Sequence, residues 1–214
     1  MNIEEHEAQL FEVVQRHALE QLSAQSETLR LLFDRARDAN DALPSFPPVQ
    51  LDRLTEEERQ ALSDFFDQDG RARGARDAFA TALVVFLDLI FKELRIFYNR
   101  IPGRAQVTVG IDGIDLGTIL RHTANNLRHY LDWRVPHSQL THAEKAVAAA
   151  TTIAKLMGKE EPTRETVAVW ANNWAWPVLA RISGRSFDGL TDIVNAALGE
   201  MLSNAWETGR YRAS

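Results

Sequence analysis

The sequence predicts a mostly α protein, a bundle of about six to eight helices with a small β-hairpin near residues 105–116. Apolar residues recur at spacings of three and four along most of the chain, which is the period of an amphipathic helix. Two capping boxes, beginning at Thr55 and Thr141, mark helix starts. Apolar and polar residues alternate around Asp112-Gly113, and Asp-Gly in that setting is typical of a hairpin. We expect residues 1–214 to form one helical domain.

Composition narrows the class of protein. The chain has 214 residues, of which 45% are hydrophobic and 25% are charged, as in ordinary globular domains. A net charge of −6 argues against broad electrostatic binding to nucleic acid or anionic membranes, although a local basic cleft remains compatible with it. The absence of cysteine excludes disulfides, thiolate metal sites and cysteine nucleophiles, and it fits a cytoplasmic location.

Neither a leader nor a membrane span is expected. The N-terminus is acidic and amphipathic, unlike a secretory signal. The most apolar run, residues 78–91, is too short to cross a bilayer and is followed directly by Lys92 and Glu93. We therefore expect no association with membranes and a buried helix at this run.

The first half of the chain divides at its serines, prolines and glycines. Over residues 1–40 we expect one long helix or a helix pair. A break would fall near Ser23–Ser26, because serine competes for backbone hydrogen bonds. The segments that follow are predicted as a loop over 41–54, a short helix from Thr55 to about Phe66, a turn over 67–74 and a core helix from about Ala75 to Tyr98.

The second half is predicted in the same way. Asp115 or Thr118 caps a helix that runs to Pro136. The further elements are an alanine-rich helix from Thr141 that stops at Gly158, a helix capped by Thr163 that carries Trp170, Trp174 and Trp176 before Pro177, and a last helix capped by Ser186 that runs to about Trp206. We expect the three tryptophans to fill a core or a dimer contact rather than to form a platform for a base.

The helix over residues 117–136 concentrates chemically capable side chains. Offsets of three and four share a helix face, so one side holds Arg121, Asn125, Arg128, His129 and Asp132. Trp133 closes this stripe, and His122 lies beside it. No set of His, Asp and Glu has the spacing of a metal site, so we expect no metal.

Residues 124–133 read Ala-Asn-Asn-Leu-Arg-His-Tyr-Leu-Asp-Trp and resemble a segment of bacterial HEPN-type helical proteins. That segment has the form Ala-Asn-aromatic-aromatic-Lys/Arg-His-x-x-Glu-Trp. The positions that match are Ala124, Asn125, Arg128, His129 and Trp133, with Asp132 in the acidic place and departures at Asn126 and Leu127. The Gly-Arg-Ser-Phe-Asp-Gly-Leu turn before the last helix also resembles these proteins.

The resemblance implies a HEPN-like core over residues 75–206, a homodimer, and a role in a bacterial defence or toxin–antitoxin system. Many HEPN-type proteins are metal-independent ribonucleases without cofactors, and others are binding or regulatory modules. Their nuclease signature has an arginine, then four to six residues, then a histidine. Counted back from His129, that arginine falls at positions 122–124, which are His122, Thr123 and Ala124 here, and Arg121 stands one position earlier.

The predicted roles follow from what RNA cleavage without a metal requires. His129 is the acid/base, because an unperturbed histidine titrates near pH 6.5. Arg121 and Arg128 hold phosphate, for which the guanidinium fork is suited, and Asn125 orients the histidine or the substrate. Asp132, Trp133 and His122 are predicted as further binding residues, and RNA or a nucleotide as the partner.

A second interpretation needs no catalysis. Asn125, His129 and Asp132 are spaced to form an internal hydrogen-bond network, and Arg128 and Asp132 an ordinary ion pair one turn apart. The chain would then be a helical interaction or regulatory protein that binds a protein partner, such as an antitoxin or regulator, or a nucleotide. The sequence leaves open whether the protein is an enzyme.

Overall fold

The computed structural model describes residues 3–49, 53–129 and 143–211. Within these ranges it has seven α-helices and one two-stranded antiparallel hairpin, which confirms the predicted fold class. The elements are α1 (Ile3–Ala24), α2 (Ser26–Asp41), α3 (Glu56–Tyr98), β1 (Gly110–Ile111), β2 (Ile114–Asp115), α4 (Leu116–His129), α5 (Ala143–Leu156), α6 (Ala175–Ser183) and α7 (Phe187–Tyr211). The predicted capping box at Thr141 lies outside the described residues.

The predicted N-terminal helix is a pair, and the break lies where the serines indicated. Gln25 separates α1 from α2. The helical hydrogen-bond pattern continues through it, because the Gln25 amide donates to the Gln21 carbonyl (3.0 Å) and the Leu29 amide donates to the Gln25 carbonyl (2.8 Å). The break is therefore a kink between two helices rather than a loop.

α3 is one continuous helix of 43 residues, about 65 Å long, so the predicted turn over 67–74 was wrong. Its start is the predicted capping box, in which the Glu58 amide donates to Thr55 Oγ1 at 3.2 Å and the Thr55 amide to Glu58 Oε2 at 2.8 Å. Within the segment, Arg73 pairs with Asp69 one turn earlier at 2.7 Å, which adds a small local stabilisation to the helix.

The hairpin is shorter than predicted and is anchored to α7. Asp112 (φ 52°) and Gly113 (φ 75°) both adopt positive φ, as a two-residue hairpin turn requires. Glu200 accepts hydrogen bonds from the amides of Thr108 (2.9 Å) and Val109 (2.7 Å). This carboxylate fixes the chain just before β1, which a two-stranded hairpin needs because it is marginal alone.

The tryptophan-rich segment is not the single helix that was predicted. Thr163 exchanges hydrogen bonds with Thr166 in a turn, a short 3-10 helix ends at Trp170, and α6 begins only at Ala175. Pro177 lies in the first turn of α6, where its missing amide costs no intrahelical bond, so it does not end a helix as expected. Trp170 and Trp176 are buried, which confirms their predicted place in the core.

One cluster of buried side chains joins all seven helices, with α3 at its centre in contact with α1, α2, α4 and α6. Phe33 of α2 is fully buried and meets the rings of Trp176 and Phe187 edge-on at 5.4 and 6.0 Å. In the described part of the chain, no helix combines the length and the apolar character needed to cross a membrane.

Candidate functional site

The candidate site is the surface formed by α4 and the C-terminal part of α3. α4 begins directly after the hairpin, and Asp115 Oδ1 accepts the amide of Thr118 at 2.9 Å, so Asp115 is the cap. Gly117 lets the two helices approach closely, because a Cβ added there would lie 3.3 Å from the Phe91 ring. The start of α4 is therefore fixed against α3.

The two sides of α4 differ sharply in chemistry. The side turned to the core is fully buried and consists of Ile119, Leu120, Thr123, Ala124 and Asn126. On the other side Arg121 and Arg128 are exposed and Asn125 is half-buried. Arg128 Nη1 donates to Asn125 Oδ1 at 3.5 Å. The structure thus brings together three of the predicted site residues on one face.

A buried carboxylate on α3 organises this face. Asp88 is 2% exposed, and its Oδ2 lies 3.0 Å from Arg128 Nη2 while its Oδ1 lies 3.5 Å from Arg95 Nη2. Arg95 Nη1 also donates to the Gly117 carbonyl at 2.7 Å. A buried charge is stable only when it is paired, and Asp88 has two arginine partners from two helices.

Asp88 and Arg95 were not among the predicted site residues. The guanidinium of Arg95 is half-buried and binds Asp88 and the Gly117 carbonyl. Burial lowers the pKa of Arg95, Asp88 opposes that effect, and the nearby charge of Arg121 adds to it. The signal that could have identified Asp88 is its position as the one charged residue within an apolar run.

Arg121 is the arginine of this face that has no carboxylate partner among the described residues. Within the described ranges its side chain makes no hydrogen bond or ion pair, and it lies near Arg95 and His122. We name Arg95, Arg121 and Arg128 the arginine face; two of them, Arg95 and Arg128, pair with the buried Asp88, and Asp115 lies near Arg95. Their guanidinium groups can donate paired hydrogen bonds to phosphate oxygens.

His122 lies beside the arginine face and is turned towards α5. Its Nδ1 is 2.6 Å from Thr152 Oγ1, a partner that the sequence did not reveal. Burial lowers the pKa of His122, and the charges of Arg121 and Arg95 lower it further against the opposing effect of Asp115. His122 is therefore neutral at pH 7 and joins α4 to α5 as a hydrogen-bonding group.

The stability of the protein is expected to fall as the pH drops below about 6.5, partly through His122. The folded state holds its pKa below the unfolded value, so the unfolded state binds more protons between the two pKa values. Thermal unfolding measured from pH 7.5 to 5 should show a smaller loss of Tm for His122→Gln, which keeps a group able to bond Thr152. His17→Gln, at an exposed histidine of α1, should retain the wild-type dependence. Equal pH dependence in the two variants would contradict this assignment.

The other predicted residues are only partly described. The structure describes α4 as far as His129; the side chain of His129 lies outside the described part of the chain, as do Asp132 and Trp133 in full. The predicted ion pair between Arg128 and Asp132 lies there too. Among the residues that the structure does describe, no three His, Asp or Glu side chains come together as metal ligands.

A cavity of about 370 Å³ adjoins the arginine face at the C-terminus of α3. Arg95 lines it together with Tyr98, Arg104 and Asp115. Arg104 lies over the Tyr98 ring, 5.6 Å from its centre, and donates to Asn99 Oδ1 at 2.8 Å. Arg95 therefore belongs both to this cavity and to the arginine face.

The arrangement can bind an anion at a surface of α3 and α4, where Asp88 holds Arg95 and Arg128 in place. Comparison of the chain with family models, with curated proteins and with solved structures gives no match.

Proposed function

We propose that this protein binds RNA through the arginine face, as a HEPN-like member of a bacterial defence or toxin–antitoxin system. The observation that supports this most directly is the arrangement of the arginines at the face. Arg95 and Arg128 pair with the buried Asp88, and Arg121 lies near Arg95 without a carboxylate partner among the described residues. Phosphate groups of a single strand would complete the pairing of these cations.

Arg121 is the principal phosphate-binding residue in this proposal. It is exposed and, within the described ranges, has no carboxylate partner, so it loses no existing bond when it binds phosphate. Arg128 keeps one guanidinium edge on Asp88 and has a side chain that is 41% exposed, which leaves its remaining donors accessible. Asn125 lies between the two and can donate to a ribose or phosphate oxygen.

Cleavage is the finer part of the proposal and depends on His129. It follows Arg128 directly in the sequence and is the last residue of α4 that the structure describes. In the proposed reaction it takes the proton of a ribose 2′-hydroxyl, whose oxygen attacks the adjacent phosphorus and displaces the 5′-oxygen of the next nucleotide, while the arginines stabilise the negative charge on the phosphorane oxygens. The proton is then returned to the leaving 5′-oxygen, and the products are a 2′,3′-cyclic phosphate and a free 5′-hydroxyl. No metal ion takes part in this proposed reaction.

A second candidate is a non-enzymatic helical interaction protein, and the Asp88 network favours it. Because Asp88 binds Arg95 and Arg128 at once, these two arginines also serve to hold α4 against α3. In this second candidate, the fixed helix α4 presents Arg121 and Asn125 to an acidic partner protein instead of to RNA.

RNA binding by the purified protein separates the two candidates. We expect a labelled single-stranded RNA to bind with a salt-dependent Kd, and Arg121→Ala to weaken binding about three- to tenfold and to reduce the salt slope by roughly 0.7. The control is Arg71→Ala, which removes an exposed arginine about 36 Å along α3 from Arg95. Fluorescence anisotropy at several salt concentrations measures both.

Different results distinguish the interaction protein, the RNA-binding module and the ribonuclease. Absence of binding by the wild type, or equal losses in Arg121→Ala and Arg71→Ala, favours the interaction protein. If RNA binds and remains intact on incubation with the wild type, the protein is a binding module. If wild type cleaves RNA and His129→Ala binds it without cleavage, the catalytic role of His129 is supported.

A further inference from the structure

A second cavity, separate from the arginine face, lies where α1 bends into α2. It has a volume of about 340 Å³ and is enclosed by the kink, by α3 and by the first turns of α7. Its floor consists of side chains that are almost fully buried, among them Leu29, Leu83, Leu87 and Leu190. Such an aliphatic floor excludes water and favours an apolar occupant.

The mouth of this cavity is polar but uncharged. Ser23, Ser26 and Asn195 line it and are exposed, and within the described part of the chain their side chains make no hydrogen bond. None of its twelve lining residues carries a charge. A charged ligand group would lose part of its hydration without meeting a counter-ion, whereas a hydroxyl or amide would find donors and acceptors at the mouth.

We infer that this kink cavity binds a small neutral amphiphile, with an aliphatic body on the leucine floor and an uncharged hydrogen-bonding head at Ser23, Ser26 and Asn195. An apolar cavity of about 150 Å³ suffices for one benzene, so 340 Å³ holds a body of roughly twelve heavy atoms. The site does not depend on the arginine face or on RNA binding. Because both helices of the kink line the cavity, its occupant stabilises the bend at Gln25.

Three ligands with eight carbons each and different head groups test the inference. We expect 1-octanol to bind the full-length protein at one site with a Kd of about 0.1–1 mM, which is ordinary efficiency for a ligand of its size. Octanoate and octylamine, both charged at pH 7, should bind at least tenfold more weakly. Isothermal titration calorimetry measures all three. No saturable binding of octanol, or equal binding of the charged probes, would overturn the inference.

Matched variants locate the site. Leu19, at the mouth, is 38% exposed, and Leu31, on α2 outside the cavity, is 55% exposed, so tryptophan is accommodated at either position. Leu19→Trp should weaken octanol binding at least tenfold, and Leu31→Trp should leave it unchanged. Equal binding by both variants would place octanol elsewhere and overturn the assignment.

Asn195→Asp gives an independent test that does not depend on filling the cavity. A carboxylate at the exposed mouth should strengthen octylamine binding about two- to fivefold, the range of a solvent-exposed ion pair, and should not strengthen octanoate binding. Because Asn195 is exposed, this variant is expected to fold whatever the outcome for Leu19→Trp. Unchanged octylamine binding would count against a head group at Asn195.

Discussion

Asp88→Ala is expected to lower the free energy of unfolding by about 2–3 kcal/mol. The substitution removes the one carboxylate that pairs with both Arg95 and Arg128, at 3.5 and 3.0 Å. Arg95 is half-buried, so its charge would remain in a poorly hydrated place beside Arg121 without its counter-ion. Both arginines retain some contact with solvent, which keeps the loss below that of a fully buried ion pair.

Urea unfolding followed by tryptophan fluorescence measures this loss. The control is Asp188→Ala, which breaks an exposed ion pair with Arg30 and should change the free energy by less than about 0.5 kcal/mol. Arg128→Ala should cost about 1 kcal/mol, because Asp88 keeps Arg95. A loss for Asp88→Ala no larger than that for Asp188→Ala would contradict the structural role of the network.

The fold class could be predicted because helix periodicity, capping boxes and Asp112-Gly113 are local signals. The continuity of α3 could not, because the glycines near residue 70 and the aspartates around them favour a turn locally. Tertiary contacts outweigh that preference: Leu62 is buried, and the Phe65 ring packs on Phe46 of the preceding loop with 5.1 Å between centres.

The candidate site also has one part that local sequence spacing predicts and another part that depends on tertiary packing. The spacing of Arg121, Asn125 and Arg128 places them on one face, and the structure has them there. Asp88, the partner of Arg128, lies 40 positions from it on another helix, so only the packing of α3 on α4 brings the two together. A lone aspartate in an apolar run indicates that some cation must reach it, but not which one. The proposed roles of His129, Asp132 and Trp133 stay predictions.

The turn from α6 into α7 brings the two helices close together, and Gly189 is its tightest point. Gly184 caps α6 with φ 59°, and Arg185 also has positive φ, at 64°. A Cβ added at Gly189 would lie 2.2 Å from the Ser183 carbonyl oxygen and 3.1 Å from its carbon. These are backbone atoms of α6, so no side chain can move aside to make room.

Gly189→Ala is therefore expected to destabilise the protein by about 2–3 kcal/mol, because the first turn of α7 must move away from the end of α6. Gly199, in the same helix, has no atom within 4 Å of the added Cβ. Gly199→Ala should instead stabilise by about 0.5–1 kcal/mol, since alanine is the better helix former. Urea unfolding of the two single variants measures the opposite signs directly. Similar effects of the two substitutions would mean that α6 and α7 do not meet as closely as the Ser183 carbonyl implies.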